Sequence, residues 1–492
     1  MGNIRPKVLS KLGYTDNVAR SLAIELVAKH CKHHSQEDVI RLLQDIIQSP
    51  EEYKQDAVWG RLAETLSPTK AEVTTYELQE KPLPYVIYGA EQIDKLAKSQ
   101  MEMAMRLPAT LSGALMPDGC AGYGLPIGGV LATTDDVVIP YAVGKDVGCR
   151  MSLTILDAGI YYLEKHHDRA VEALLNNTAF GLDGILPFKQ YHPLLDKSEF
   201  REIPLLKNLR EKAVRQLGTS GKGNHFVDIC EIELSYDNTL GLSEGRYLGI
   251  LSHSGSRGLG AAIADYYTGI AKETCRLPRQ AGPFAWLSLK SEAGQEYWRC
   301  MEIAGEYSAV NHECIHYNVA KALRLKPLAN VSNHHNFAWR DQLPDGRSAI
   351  IHRKGATPAH HGEMGIIPGS MATPGYIVAG KGREESLFSA SHGAGRTMSR
   401  LDAKNSISRH ALKKYLAEHN VTLIGGTTEE APQAYKDIHQ VMESQQELVN
   451  IEGKIIPRIV RMSEEYNGKG VYSNHIRARP SGVLPGGSAR YE

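Results

Sequence analysis

Apolar positions recur at helical spacing near the start of the chain. Val18, Leu22, Leu26 and Val27 form a stripe over Asn17 to Cys31, and Val39, Leu42, Leu43 and Ile46 form another over Glu37 to Gln48. Ser35 stands where the second stretch needs an N-cap, and the polar Ser-Pro-Glu-Glu run at Pro50 ends it. From about Tyr76 short β-rich runs alternate with helical stretches: Tyr85 to Tyr88, Val137 to Ile139, Met151 to Ile155, Tyr247 to Leu251, Ala349 to Ile351 and Tyr376 to Ala379. Several lead into polar, glycine-rich segments, which places candidate ligands at strand ends, where a rigid sheet aims loops at one centre. Pro432 is expected to open a late helix bearing Tyr435, Ile438, Val441 and Met442. The pattern predicts a helical N-terminal extension over residues 1–75 and a large mixed α/β body over 76–492. A helix-turn-helix reader is the sharper reading of the extension, but no basic recognition helix stands out there.

Composition narrows the class. The chain has 492 residues, 42% hydrophobic and 23% charged, as expected of a globular protein with a substantial core. Lys plus Arg and Asp plus Glu both number 56, so no overall charge announces a nucleic-acid partner, although a local basic groove remains compatible. The start lacks the apolar run of a signal peptide, and no long apolar stretch suits a membrane span. Seven scattered cysteines, an odd number, point to a reduced, cytoplasmic protein without a membrane partner.

The candidate chemistry lies in histidine- or cysteine-bearing segments rich in glycine and asparagine. Asp146 and Cys149 lie three apart in a turn bracketed by Gly144 and Gly148, so a carboxylate and a thiolate can reach one centre. His225 follows Gly223-Asn224, His253 sits among Ser252, Ser254 and Ser256, and His335 precedes Asn336, with His334 competing. A thiolate among histidines favours zinc, but spacing alone does not separate one zinc from two manganese ions. Pro368-Gly-Ser-Met371 and His392-Gly-Ala-Gly395 suit a phosphate cradle, because glycines let backbone N–H groups converge on an anion. His392 in such a cradle is a nitrogen nucleophile able to attack an α-phosphate and pass a nucleotidyl group onward. His352-Arg-Lys354, Arg396 and Arg400 offer positive charge to a phosphate backbone, or form an ordinary solvated cluster.

Taken together these segments resemble the RtcB family of RNA ligases. The resemblance runs from Met116-Pro-Asp118 and Pro126-Ile-Gly-Gly-Val130 to Arg479-Pro480. It is carried most specifically by His352-Arg-Lys-Gly-Ala-Thr357, Ser391-His-Gly-Ala-Gly-Arg396, and Glu430-Ala-Pro followed by Ala434-Tyr-Lys-Asp437. It implies an α+β catalytic body with the metal site in a deep cleft between sheets. It also implies a two-manganese site of Asp146, Cys149, His225, His253 and His335, with Cys149 shared. GTP would be held by Asn224, His225, Asp228, His335, Asn336, Pro368, Gly369, Ser370, Met371, His392, Gly393, Ala394 and Gly395. The implied reaction joins RNA 3′-phosphate or 2′,3′-cyclic phosphate ends to 5′-hydroxyl ends through guanylylated His392, in RNA repair or tRNA splicing. A metal-dependent cyclic phosphodiesterase and a non-catalytic RNA-binding relative are the alternatives. The chain departs from the family pattern at Cys120 (usually histidine), Asp228 (glutamate), Gly375 (serine) and Pro485 (lysine), so the expectation is a divergent member whose metal set and nucleophile are intact.

Overall fold

A nine-stranded sheet and a five-stranded sheet frame the centre of the larger part of the molecule. The computed structural model describes residues 4–14, 17–67, 73–464 and 475–476. The chain divides into two units, Met1–Val73 and Thr74–Glu492. The first is all helical: Pro6–Lys11, Asn17–His30, Gln36–Gln48, Pro50–Tyr53 and Gly60–Leu66. Ser35 caps the third helix, accepting from the Asp38 N–H at 3.2 Å, as its position predicts. Leu9, Val27, Leu43, Ile46 and Leu62 pack into its core, and the Tyr14 hydroxyl donates to the Leu43 carbonyl.

In the second unit the nine-stranded sheet runs in the order Pro327–His334, Arg150–Leu156, Gly245–Ser254, Phe226–Leu234, Val449–Met462, Gly375–Gly380, Met364–Ile367. Thr422–Ile424 and His475–Ile476 branch from it. Strand alternation gives it two apolar faces. Met151, Leu153 and Ile155 join Ile232, Ile377 and Ile455 on one side. Leu156, Val227, Ile229 and Ile459 meet Leu163, Leu174, Ile315 and Val319 on the other. Those last four lie on helices Tyr161–Asn177 and Glu292–Leu323. The five-stranded sheet runs Asn336–Gln342, Ser348–Lys354, Ile127–Thr134, Thr110–Cys120, Val86–Ile87. This is the mixed α+β architecture that the sequence predicts.

Each of the six β-rich runs coincides with a strand. The expected helix at Pro432 is displaced. Pro432–Ala434 is a single 3-10 turn, and the α-helix is Ile438–Glu443, capped by the Asp437 side chain. Tyr435 is thereby freed from the helix to join the site. Pro485 and Arg479-Pro480 lie outside the described residues.

Candidate metal and nucleotide site

The two sheets meet at His335. It lies between strand Pro327–His334 of the larger sheet and strand Asn336–Gln342 of the smaller one. Its N–H donates to the Cys149 carbonyl at 3.0 Å, and its own carbonyl accepts from the Gly355 N–H at 2.8 Å. The Asp146–Cys149 turn closes through the Cys149 N–H and the Asp146 carbonyl, 3.0 Å apart. Gly148 in that turn has φ of +73°, and a Cβ there would come within 2.9 Å of Gly305 Cα on the long helix, so glycine alone suits the position.

The polar atoms of the five expected ligands converge. Donor atoms of Cys149, His253 and His335 lie within 4.8 Å of one another, as do those of Asp146, Cys149 and His225, so Cys149 belongs to both groups. Cys149 Sγ is 3.2 Å from His253 Nε2 and 3.6 Å from His225 Nε2. His253 Nε2 is 3.2 Å from His335 Nε2, and His225 Nε2 is 2.9 Å from Asp146 Oδ2. His253 Nδ1 donates to the Asn224 carbonyl at 2.9 Å, which leaves the Nε2 lone pair facing Cys149. His225 is held the other way: its Nδ1 accepts the Gly221 N–H at 3.2 Å, so Nε2 carries the proton shared with Asp146. Metal uptake there requires that proton to leave, or Nδ1 to release Gly221.

Burial sets the protonation of this cluster. It pushes the His253 imidazole down to about 3, with the neighbouring His225 adding to the effect. It holds His335 well below the ordinary histidine range and raises the Cys149 thiol well above its own. Burial opposes charge on Asp146 most strongly, but the hydrogen bond and charge of His225, with Cys149 and His253, together outweigh it and hold the carboxyl low. Neutral imidazoles and a carboxylate are the ligating forms, and a desolvated thiol releases its proton to solvent readily only when a cation takes its place on sulfur. The donor set therefore fits a metal centre, and His335 Nδ1, buried without a partner, marks a ring not committed elsewhere. His334 is not in the cluster; its Nε2 meets Arg150 Nη2 at 2.5 Å.

His392 follows the short strand Ser389–Ser391 and presents its ring 5.0 Å from that of His335, centroid to centroid. Asp118 Oδ2 takes the N–H groups of His392 (3.0 Å) and Gly393 (3.3 Å) and lies 2.6 Å from His392 Nδ1. An oxygen already accepting from two backbone donors fixes the proton on Nδ1 and leaves Nε2 free. Sequence reasoning missed this role for Asp118. A carboxylate as the single charged residue of strand Thr110–Cys120, flanked by Pro117 and Gly119, was the available signal. Lys436 Nζ locks those flanks by donating to the Pro117 and Gly119 carbonyls at 2.9 and 2.7 Å.

A cavity of about 510 Å³ opens beside His392. Of the expected nucleotide residues, Asn224, Asp228, Asn336, Pro368, Gly369, Ser370, Met371, His392, Gly393, Ala394 and Gly395 line it; His225 and His335 do not. Asn336 is also a brace, accepting the Gly355 N–H at 2.8 Å and donating to the Asp146 carbonyl at 3.3 Å. Burial raises the Asp228 carboxyl well above the usual range, and its Oδ1 has no partner. Gly375 has a structural reason: a Cβ there would lie 2.9 Å from Pro368 Cα and 3.0 Å from the Ile367 carbonyl oxygen.

The family's sequence model, described as tRNA-splicing ligase RtcB, matches residues 100–203 and 197–462. The chain belongs to the RtcB family. It is 30% identical over 384 residues to the RNA-splicing ligase RtcB of Escherichia coli K12, covering 72% of this chain and 91% of that one. It is 30% identical over 442 residues to the tRNA-splicing ligase RtcB of Nanoarchaeum equitans (74% and 92%). The RNA-splicing ligase RtcB of Mycobacterium tuberculosis is 30% identical over 414 residues (68% and 94%). The family match begins after the N-terminal helical unit.

One expectation within the RtcB motifs is corrected. His352 and Arg353 are buried, with their polar atoms committed to protein partners. Arg353 Nε donates to Ser389 Oγ at 2.7 Å and Nη2 to the Leu387 carbonyl at 3.0 Å, with the guanidinium over the Trp339 ring. His352 Nε2 accepts the Ile139 N–H at 2.9 Å. Only Lys354 of the three lines the cavity, where burial lowers its ammonium to about 8. Arg396 and Arg400 also line it, both paired with Glu430 at 2.9 Å. Tyr435 packs against Arg396 and donates to Glu430. Among the described residues, no helix is long and apolar enough to cross a membrane.

Proposed function

We propose that this chain is an RNA ligase that joins 3′-phosphate or 2′,3′-cyclic phosphate ends to 5′-hydroxyl ends, using GTP and a pair of manganese ions. The observation that carries the reading is the free Nε2 of His392, oriented by buried Asp118 and placed beside the Asp146–Cys149–His225–His253–His335 cluster, of which Asp146 and His253 line the same cavity. In the proposed first step Nε2 attacks the α-phosphorus of GTP, the N–P bond forms and pyrophosphate leaves. Asp118 keeps the proton on Nδ1 and stabilises the positive charge that the ring acquires. An oxygen of the RNA 3′-phosphate then attacks that phosphorus, and His392 leaves with its lone pair restored. The 5′-hydroxyl attacks the activated 3′-phosphate, a phosphodiester forms and GMP departs. Any cyclic phosphate is first opened by water. Bound manganese would supply Lewis-acid stabilisation of the phosphate charge, held by the five named residues.

The glycine-bracketed segments Pro368–Met371 and His392–Gly395 support phosphate binding through backbone N–H groups. The RtcB relatives, named RNA- or tRNA-splicing ligases, support an RNA substrate, and we assign residues 76–492 to this catalysis, in RNA repair or tRNA splicing. The test is incubation of 3′-phosphate and 5′-hydroxyl oligoribonucleotides with the protein, GTP and Mn²⁺. A sealed product that requires all three supports the reading. Opening of a cyclic phosphate without sealing would replace it with a phosphodiesterase, and RNA binding without either reaction with a non-catalytic protein.

A further inference from the structure

The cavity lining has two differently built parts. One is walled by the larger sheet, through Phe226, Asp228, Leu251, Ile455, Val460 and Met462, and is largely apolar. The other is rimmed by the loop after strand Thr110–Cys120 and by the segment leading into Asp146. Tyr123 stands on that rim with 79% of its surface exposed.

An exposed tyrosine by itself is ordinary. This one sits on a loop with little freedom to move. Gln100 clamps Gly122 from both sides, accepting its N–H at 2.9 Å and donating to its carbonyl. Lys354 Nζ donates to the Tyr123 carbonyl. Gly124 takes φ of +70°, and a Cβ there would touch Pro283 at 3.5 Å. Beside it on the rim are Tyr141, with the Lys272 ammonium 5.5 Å from its ring centroid, and Lys145, paired with Asp265 at 3.0 Å. Presented aromatics interleaved with lysines are what an unpaired nucleic-acid strand needs: a π-face for the base and cations for the backbone.

We infer that Tyr123 is the stacking platform for the terminal base of an RNA end, so that RNA enters over the Tyr123–Tyr141–Lys145 rim while the nucleotide occupies the other part of the cavity. This rests on the ligase reading above. Tyr123 positions the strand and takes no part in bond making. Because every base has a π-face, the contact is indifferent to sequence, as suits an enzyme that seals breaks.

The test separates nucleotidyl transfer from RNA engagement in the full-length protein. Label transferred from α-labelled GTP to His392 reports the first; steady-state sealing of 3′-phosphate and 5′-hydroxyl oligoribonucleotides reports the second. Tyr123→Ala should label at the unaltered rate while its KM for RNA rises about 10-fold or more, and Tyr123→Phe should stay within about 2-fold. Placing an abasic nucleotide at the terminus that Tyr123 contacts should remove the difference between Tyr123→Ala and the unaltered protein, and identifies which end it is. An unchanged KM in Tyr123→Ala would overturn the inference. So would an equal fall in labelling, or a defect that persists when both termini are abasic. Absence of labelling in the unaltered protein is a different outcome and would overturn the ligase reading itself.

Discussion

His392 Nδ1 lies 2.6 Å from Oδ2 of Asp118, a carboxylate with no solvent exposure. The pair joins residues 274 positions apart in sequence. Its consequence is directional: the ring nitrogen facing the cavity is the one without a proton.

Asp118→Asn keeps the shape but offers an amide that can reverse that choice. Transfer of label from GTP to the protein should fall by at least about 100-fold, because the wrong tautomer has no lone pair at Nε2. Rapid-quench labelling measures it, and a rate within about 2-fold of the unaltered protein would remove Asp118 from the account.

Cys149 belongs to both ligand groups, so its loss should cost more than one contact. Cys149→Ala is expected to retain less manganese per chain than the unaltered protein after desalting, as counted by elemental analysis. Stripping the unaltered protein with a chelator should lower its melting temperature, since a ligand at 100 times its Kd contributes about 2.7 kcal/mol. Equal metal content in both proteins would contradict the shared-ligand arrangement.

Arg353 has 1% of its surface exposed, and burial lowers its guanidinium to about 10, so its role is structural. Arg353→Met removes the donor to the Ser389 hydroxyl and one of two donors to the Leu387 carbonyl, which keeps the Ser389 hydroxyl at 2.8 Å. A loss of about 2–4 kcal/mol in a denaturant titration is expected, from the lost buried hydrogen bonds and lost packing. Unchanged stability with a selective loss of RNA affinity would restore the phosphate-binding role that its sequence motif suggested.

Gly375→Ser tests whether the departure from the common serine is tolerated in reverse. With Pro368 Cα 2.9 Å from the new Cβ, the backbone of the 368–371 segment must shift. A destabilisation of about 1–3 kcal/mol together with weaker labelling from GTP is expected. Tighter GTP use at full stability would show that the segment adapts freely.

Much of the fold and of the site was legible because the residues concerned carry local signatures. Ser35 announced a cap, the β-rich runs announced strands, and the glycines around Asp146, Cys149 and His392 announced turns. Tertiary burial hid the rest. Arg353 reads as a solvated charge in a linear motif and becomes core only when Ser389 and Trp339 fold over it. The 32-residue helix Glu292–Leu323 buries Asn311, His312 and His316 along with its apolar residues, which blurs its periodicity. His312 and His316 both reach Ser252, beside the metal cluster, across 60 and 64 residues, a pairing that no local pattern encodes.

The most direct measurement is the covalent one: incubate the protein with Mn²⁺ and α-labelled GTP or ATP, alongside His392→Ala, and map acid-labile label on the chain. The account predicts label from GTP, on His392, absent from the variant. Label from ATP alone would keep the histidine carrier and change the nucleotide. Label elsewhere, or none from either nucleotide, would contradict the central claim that His392 carries a nucleotidyl group.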